Sequence, residues 1–220
     1  MEEAQTKFPP VGDQGQRNTC VSFSLTFLNE QLRDFSMDLS EEFLHWATIQ
    51  RQGINTDGVD PNTACEAVVT TGQPVESAWP YDSTLDQRKS AYAPPQSAMS
   101  AMKYRADAFA NPSVPTFHDM ESFLLTNGPF ALGVELWSPF LFPVDGFIHA
   151  PDPEKDQFLG LHLVCAVATA AHPKTHFSAI LIRNSWGNRW GVEGYGYLSR
   201  GYIEKYTEGA WQLLGAKERV

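Results

Sequence analysis

Between Val21 and Leu32 the apolar positions are 21, 23, 25, 27, 28 and 32. Residues 21, 25, 28 and 32 share one helical face, and Phe23 and Phe27 add a second. A helix apolar on most sides is usually buried. Asn18 or Thr19 can cap its start, so the pattern predicts a buried helix over about 20–33 with Cys20 in its first turn. Ser40 before Glu41-Glu42 predicts a second helix to about residue 50, since a small hydroxyl caps and acids complement the helix dipole. Asn55-Thr56-Asp57-Gly58 is a turn cluster. Asp60-Pro61 reads as an N-cap followed by proline in the first turn, and Gly72 as a C-terminal stop. The helix between them, over 61–71, would bury Cys65 and Val68. Pro9-Pro10 keeps residues 1–13 extended, and residues 82–100, with Pro94-Pro95, read as loop with a helical turn.

Beyond about residue 101 the periodicity shortens. Tyr104 to Phe109 reads as a strand of open register. Thr116 caps a helix containing Met120, Phe123, Leu124 and Leu125, which ends at Asn127-Gly128-Pro129. Strands follow over 130–137, 161–170, 177–183 and 194–200, the last alternating aromatic and small residues. The fold class is therefore α+β: a mainly helical part over about 14–100 and a mainly antiparallel part over about 101–220, with the N-terminal arm crossing to the second. No internal repeat or low-complexity tract interrupts them, so residues 1–220 read as one domain with two lobes.

Composition narrows the possible partners. The chain has 220 residues, is 42% hydrophobic, and carries 16 basic against 26 acidic side chains, for a net charge of −10. That is enough apolar content for a packed core, and the charge argues against nucleic acid, which needs basic patches. No run of eighteen apolar residues marks a membrane span. Three cysteines, Cys20, Cys65 and Cys165, do not make a disulfide framework, and there is neither CxxC nor His-x-x-x-His to suggest zinc. Met1 to Lys7 carries no signal-peptide pattern. With no disulfide pattern either, a bacterial or cytosolic setting is expected, or export by a route with no visible signal.

Candidate chemistry begins at Cys20. A lone cysteine is most often a small buried hydrophobe. This one follows a polar loop and opens a helix, where negative charge, and so the nucleophilic thiolate, is favoured. Six histidines compete as its partner: His45, His118, His149, His162, His172 and His176. His162 stands out because it interrupts the apolar strand Leu161-His162-Leu163-Val164-Cys165-Ala166-Val167, where a polar residue needs a reason. His149 lies in a proline-rich loop. The segment Asn184-Ser185-Trp186-Gly187-Asn188-Arg189-Trp190-Gly191-Val192-Glu193-Gly194-Tyr195 reads blandly as strand, glycine turn and strand, stapled by two tryptophans, but such a turn does not demand the asparagine.

Gln14-Gly15 six residues before Cys20, together with this Asn-Ser-Trp-Gly-x-x-Trp-Gly-x-x-Gly-Tyr run, resembles the papain-like cysteine peptidases. His162 lies 142 residues after Cys20, inside the spacing of roughly 130–150 found in that family. Val75 to Tyr81 is similar to the family's glutamate and Tyr-Pro-Tyr region. The sequence departs from the family at Arg17, where a disulfide cysteine is usual, at Asn18, Thr19 and Val21, and in the bulky Leu161 and Leu163 around the histidine.

The resemblance implies a helical lobe and an antiparallel sheet or barrel lobe, with an active-site cleft between them. It implies Cys20, His162 and Asn184 as catalytic residues, Gln14 and the Cys20 N–H as the oxyanion hole, and Trp186 as a shield over the His–Asn bond. Gly58 aligns with a glycine that pairs with the substrate chain, and Gly133, Leu161 and Leu163 fall near the second subsite. The acidic stretch Asp152–Gln157 is expected as a solvated loop. The implied partner is a protein or peptide substrate, with a propeptide or protein inhibitor outside this chain, and neither cofactor nor metal is called for. A papain-fold acyl transferase or deamidase acting on one protein, or an inactive binding module, would share these features.

Overall fold

The computed structural model describes residues 8–54, 57–89 and 91–215. The predicted arm before Phe8, the Asn55-Thr56 half of the turn cluster and Ser90 lie outside the described residues. The chain divides into two units, one formed by residues 14–110 and 211–220, the other by residues 1–13 and 111–210.

The first unit is helical. Helix α1 spans Cys20–Gln31, α2 Glu41–Gln52 and α3 Pro61–Thr70, followed by a 3-10 turn at Glu76–Ala78 and a short α4 at Gln96–Ser100. The expected N-caps hold for α2 and α3, while the glycine that stops α2 was not expected. Ser40 accepts a bond from the Phe43 N–H, and Gly53 ends α2 in the left-handed conformation at φ 70°. Asp60 accepts from the Thr63 N–H with Pro61 in the first turn. Cys65 and Val68 of α3 are fully buried.

Helix α1 differs from the expected apolar cylinder. It is buried on nearly every side, but Ser22, Ser24, Thr26, Asn29 and Glu30 are buried with its leucines and phenylalanines. Buried polar groups persist only when bonded, and α1 finds partners far along the chain. Asn29 Nδ2 donates to Gln73 Oε1 at 2.8 Å, Gln73 Nε2 donates to Thr26 Oγ1 at 2.7 Å, and Glu30 accepts the Leu39 N–H at 2.9 Å. Hydrophobic periodicity records none of these pairings.

The second unit is built on a sheet. Helix α5 spans Phe117–Asn127, and Thr116 and Asp119 form a capping box at its start. The strands are β2 (Phe130–Trp137), β3 (Phe147–Ile148), β4 (Phe158–Ala171), β5 (Ser178–Arg183) and β6 (Tyr195–Ser199), with two short helices, α6 (Ser138–Leu141) and α7 (Arg200–Ile203). The order is β7-β2-β4-β5-β6-β3, where β7 is Thr207–Leu214. The pairs β2/β4, β4/β5 and β5/β6 are antiparallel and β3/β6 is parallel. Phe130, Leu132, Val134, Val164, Ala166 and Phe140 are among the apolar side chains packed into one core.

Strand β4 is longer than the apolar run suggested, and β7 was not expected at all. Thr207-Glu208-Gly209-Ala210 lacks the alternation that marks a half-buried strand. Residues 212–214 of β7 pair with β1, Ala108–Ala110, inside the helical unit. The strand expected over Tyr104 to Phe109 begins later, at Ala108, and Tyr104 itself makes an isolated bridge to Gln73. Among the described residues, no helix is long and apolar enough to cross a membrane.

Candidate active site

Cys20 is the first residue of α1 and is partly exposed; Cys65 and Cys165 are buried, and all three are thiols. Thr19 occupies the N-cap position but makes no capping bond with its side chain. The hydroxyl is used elsewhere. Tyr81 Oη donates its single proton to the Gln14 carbonyl at 2.8 Å, so at the 2.8 Å contact with Thr19 Oγ1 the threonine is the donor. One tyrosine thereby ties both ends of the loop 14–19.

The middle of that loop is held by charge. Arg17 Nη1 donates to Glu42 Oε2 at 2.6 Å and Nη2 to Glu42 Oε1 at 2.8 Å. Nη1 also reaches the Asp82 carbonyl at 2.9 Å, and Tyr92 Oη donates to Glu42 Oε1 at 2.6 Å. The guanidinium lies 5.0 Å from the Tyr81 ring centre. Burial alone would lower the Arg17 pKa, but the bonds and charge of Glu42 outweigh it and raise it further. A bidentate arginine–carboxylate pair is the strongest form of such contacts. It stands where the resemblance led one to expect a disulfide cysteine. The sequence held two signals for it, an arginine in the loop and an acid in the first turn of α2, but nothing that paired them.

Gln14 is 5% exposed and its Nε2 donates to the Arg17 carbonyl at 2.6 Å. The same carbonyl accepts the Thr19 N–H at 2.9 Å. Behind α1, Ser22 Oγ lies 3.1 Å from Nδ1 of the fully buried His45, whose pKa is pushed down to about 4, first by burial and then by the nearby Arg17 charge.

In the sheet unit, His162 stands on β4 opposite Val134 of β2. Side chains alternate faces along a strand, so His162 falls in the row of Val164 and Ala166, at the end of the apolar core. Its neighbours Leu161 and Leu163 point the other way; Leu161 is 69% exposed and Leu163 buried. His162 Nε2 lies 2.7 Å from Asn184 Oδ1. The direction of this bond follows from a second contact, because the backbone N–H of Ser185 donates to the same Oδ1 at 2.8 Å. A backbone N–H can only donate, so that atom is the amide oxygen, and the imidazole carries its proton on Nε2. Nδ1 is then the basic nitrogen. Burial lowers the pKa of His162 to about 4, with the Asn184 bond opposing.

The aromatic rings around this pair are closely set. The Trp186 ring lies 4.7 Å from the imidazole, and Phe140 sits 5.9 Å from it edge-on. Trp190 stacks on Phe140 at 5.2 Å and donates its indole N–H to the Phe140 carbonyl at 3.0 Å. Gly191 makes this fold-back possible: at φ 60°, a Cβ there would lie 2.2 Å from the Tyr195 carbonyl oxygen. Arg183 completes the support. It donates to the Pro9 and Pro10 carbonyls at 2.8 and 2.6 Å and to Tyr195 Oη at 3.1 Å. Residues 12 and 13 then bond to Gly187 and Trp186.

Of the other residues singled out by sequence, Gly133 is buried within β2 and Gly58 is partly exposed with no heavy atom within 4 Å of where a Cβ would sit. His149 packs edge-on to Phe147. Asp152–Gln157 forms a turn closed on itself, with Lys155 bonded to Asp152 and Asp156 accepting the Asp152 N–H. Among the described residues, no group of three or more His, Cys, Asp or Glu is placed to hold a metal.

A family model described as papain family cysteine protease matches residues 1–210. The chain belongs to the papain family. It is 29% identical to cathepsin K of Gallus gallus over 200 residues, covering 87% of this chain and 55% of that protein. Two solved structures share its fold: xylellain, a cysteine protease from Xylella fastidiosa, with a TM-score of 0.76 and 21% identity over 98% of this chain and 90% of that one, and a digestive procathepsin L 3 from Tenebrio molitor larval midgut, with a TM-score of 0.71 and 19% identity over 94% and 67%. The chain spans from 20% to 64% of the length of the curated relatives it matches. The α+β, papain-like architecture expected from the sequence is the one observed.

Proposed function

We propose that this papain-family chain is a cysteine peptidase that cleaves peptide bonds within protein or peptide chains, its two units acting as one domain with Cys20, His162 and Asn184 as the catalytic residues. The observation that carries the reading is the fixed imidazole. Asn184, itself oriented by the Ser185 N–H, holds the proton on Nε2 and leaves Nδ1 basic.

In the proposed reaction Nδ1 of His162 takes the Cys20 thiol proton. A thiol at a helix start beside an imidazolium favours its thiolate, and the thiolate in turn supplies the charge that offsets the burial of His162. The sulfur attacks the substrate carbonyl carbon; the S–C bond forms and the C=O π pair moves to oxygen. That oxyanion is received by the Cys20 N–H and the Gln14 amide, donors aimed where charge develops. As the oxygen pair returns, the C–N bond breaks and His162 protonates the leaving amine. His162 then removes a proton from water, which adds to the thioester, and the C–S bond breaks to release the acid. Asn184 keeps the tautomer and ring angle through both steps. No step calls for a metal or organic cofactor. Gly58, Gly133, Leu161 and Trp186 are proposed to contact the substrate, Leu161 offering an exposed apolar side chain. A propeptide or protein inhibitor outside this sequence is the partner class that accompanies this reading.

The test is labelling with a broad epoxide inhibitor of papain-like enzymes, read by peptide mass mapping, alongside cleavage of a diverse peptide library. We expect the label on Cys20 alone, and loss of both label and cleavage in Cys20→Ala. Folded protein that takes no label at Cys20 would refute the reading. Labelling without any cleavage would favour an acyl transferase or deamidase.

A further inference from the structure

The carbonyl oxygen of Arg17 accepts two bonds, from the Gln14 side-chain amide at 2.6 Å and from the Thr19 backbone N–H at 2.9 Å. It therefore joins the two places from which the proposed oxyanion donors come, the Gln14 side chain and the start of α1. An amide NH2 has two donors; with one fixed on Arg17, the direction of the other is set. What fixes Arg17 is its own guanidinium, which spans both oxygens of the fully buried Glu42 and reaches the Asp82 carbonyl. The four bonds on that carboxylate come from Arg17 twice, from Tyr92 Oη at 2.6 Å and from the Asp82 N–H at 3.3 Å.

We propose that Arg17 is a positioning residue: its ion pair with Glu42 sets the Arg17 carbonyl, and the carbonyl aims the Gln14 amide at the oxyanion. The inference rests on the peptidase reading above and adds to it a part that no substrate touches. Two consequences follow from the chemistry. The clamp is ionic, so its hold on the loop does not depend on thiol oxidation, unlike a disulfide at the same place. The clamp is also geometric, so charge alone does not suffice: lysine is a compact point charge and lacks the planar fork that pairs one nitrogen with each carboxylate oxygen.

The test separates oxyanion stabilisation from thiol reactivity. Turnover of a fluorogenic peptide and binding of a peptide aldehyde both build a negatively charged oxygen on the attacked carbon; alkylation of the thiol by iodoacetamide does not. For Arg17→Lys we expect kcat to fall about tenfold or more with KM within about threefold, because sub-ångström misplacement of a catalytic group costs rate rather than binding. Aldehyde affinity should fall in parallel, and the iodoacetamide rate at Cys20 should stay within about twofold of wild type. The double variant Arg17→Met/Glu42→Leu removes both charges and leaves neither buried alone, so it should lose less stability than Arg17→Met; it should show the same split.

Wild-type kcat and aldehyde affinity in both variants would overturn the proposal. So would a matching loss of alkylation, which would make Arg17 a purely structural residue. These results are distinct from failure of the peptidase reading, which would show as wild-type protein unlabelled at Cys20.

Discussion

The two segments that carry the residues proposed for catalysis lie in different units, and they are held by different physics. Loop 14–19 is held by charge and hydroxyls: Arg17 on Glu42, Tyr81 on Gln14 and Thr19. The segment from Asn184 to Tyr195 is held by shape: Trp186 and Trp190 against Phe140, and glycines that let the chain fold back on itself. A buried arginine stands in the first loop and another, at the end of β5, immediately before the second. Arg17 faces a carboxylate, whereas Arg183 donates to two proline carbonyls and a tyrosine hydroxyl. The difference should appear when either is removed. Arg17→Met strands the fully buried Glu42 charge, which costs about 3–5 kcal/mol. Arg183→Met removes the donors to two proline carbonyls and a tyrosine hydroxyl, which costs about 1–3 kcal/mol. Urea denaturation of the two variants checks the ordering. Most of the Arg17→Met loss should return when Glu42→Leu is added, and equal losses for the two single variants would erase the distinction.

The contrast also explains what the sequence could reveal. The Asn184 segment is legible because shape-based support is local: two tryptophans, the glycines and the asparagine fall within twelve residues and have few other reasons to occur together. The caps at Ser40, Asp60 and Thr116 are legible for the same reason, since donor and acceptor are three residues apart. The clamp on loop 14–19 was not legible. Its members, Arg17, Glu42, Tyr81 and Tyr92, are up to 75 residues apart, and nothing in the pattern around any one of them names its partners. The polar seam of α1 was hidden likewise, because Gln73 satisfies it from a different element. Strand β7 was missed because its partners, not its own alternation, make it a strand.

A second way to sharpen the comparison uses pH, because the helical unit buries titratable groups of both signs. His45 has its pKa lowered to about 4, from an unfolded value of 6.5. In that interval the unfolded chain binds the extra proton, so His45 makes stability rise with pH, by up to about 3 kcal/mol. Glu76 has its pKa raised to about 7 from 4.5, by burial first. Here the folded chain holds the extra proton, so Glu76 makes stability fall as pH rises through the interval. Glu76 is less buried than His45, and screening reduces its share to on the order of 1 kcal/mol. Against wild type, His45→Asn should therefore lower the slope of stability with pH between about 4.5 and 6.5, and Glu76→Gln should raise it. Chemical denaturation at four or five pH values reads both slopes. Slopes that move in the same direction would show that these two groups do not govern the helical unit's acid response.

The smallest expected effect concerns two threonines in the same formal position. Thr116 and Thr19 each occupy the N-cap of a helix, one in each unit. Thr116 caps in the usual way: its hydroxyl accepts the Asp119 N–H at 3.2 Å, and Asp119 returns a bond to the Thr116 N–H. Thr19 gives its hydroxyl to Tyr81 instead, which is bound to the Gln14 carbonyl. Thr116→Val should cost about 1 kcal/mol of stability, the ordinary value of a cap, and leave peptide turnover unchanged. Thr19→Val should cost a similar amount, since it leaves the partly buried Tyr81 hydroxyl without the bond it accepts. Its loss, however, falls on the loop that carries Gln14 and leads into Cys20, so kcat should drop where Thr116→Val leaves it alone. The informative quantity is thus the ratio of kcat loss to stability loss. If the two valine variants give the same ratio, loop 14–19 is held tightly enough without Tyr81, and the Arg17–Glu42 pair carries that task by itself.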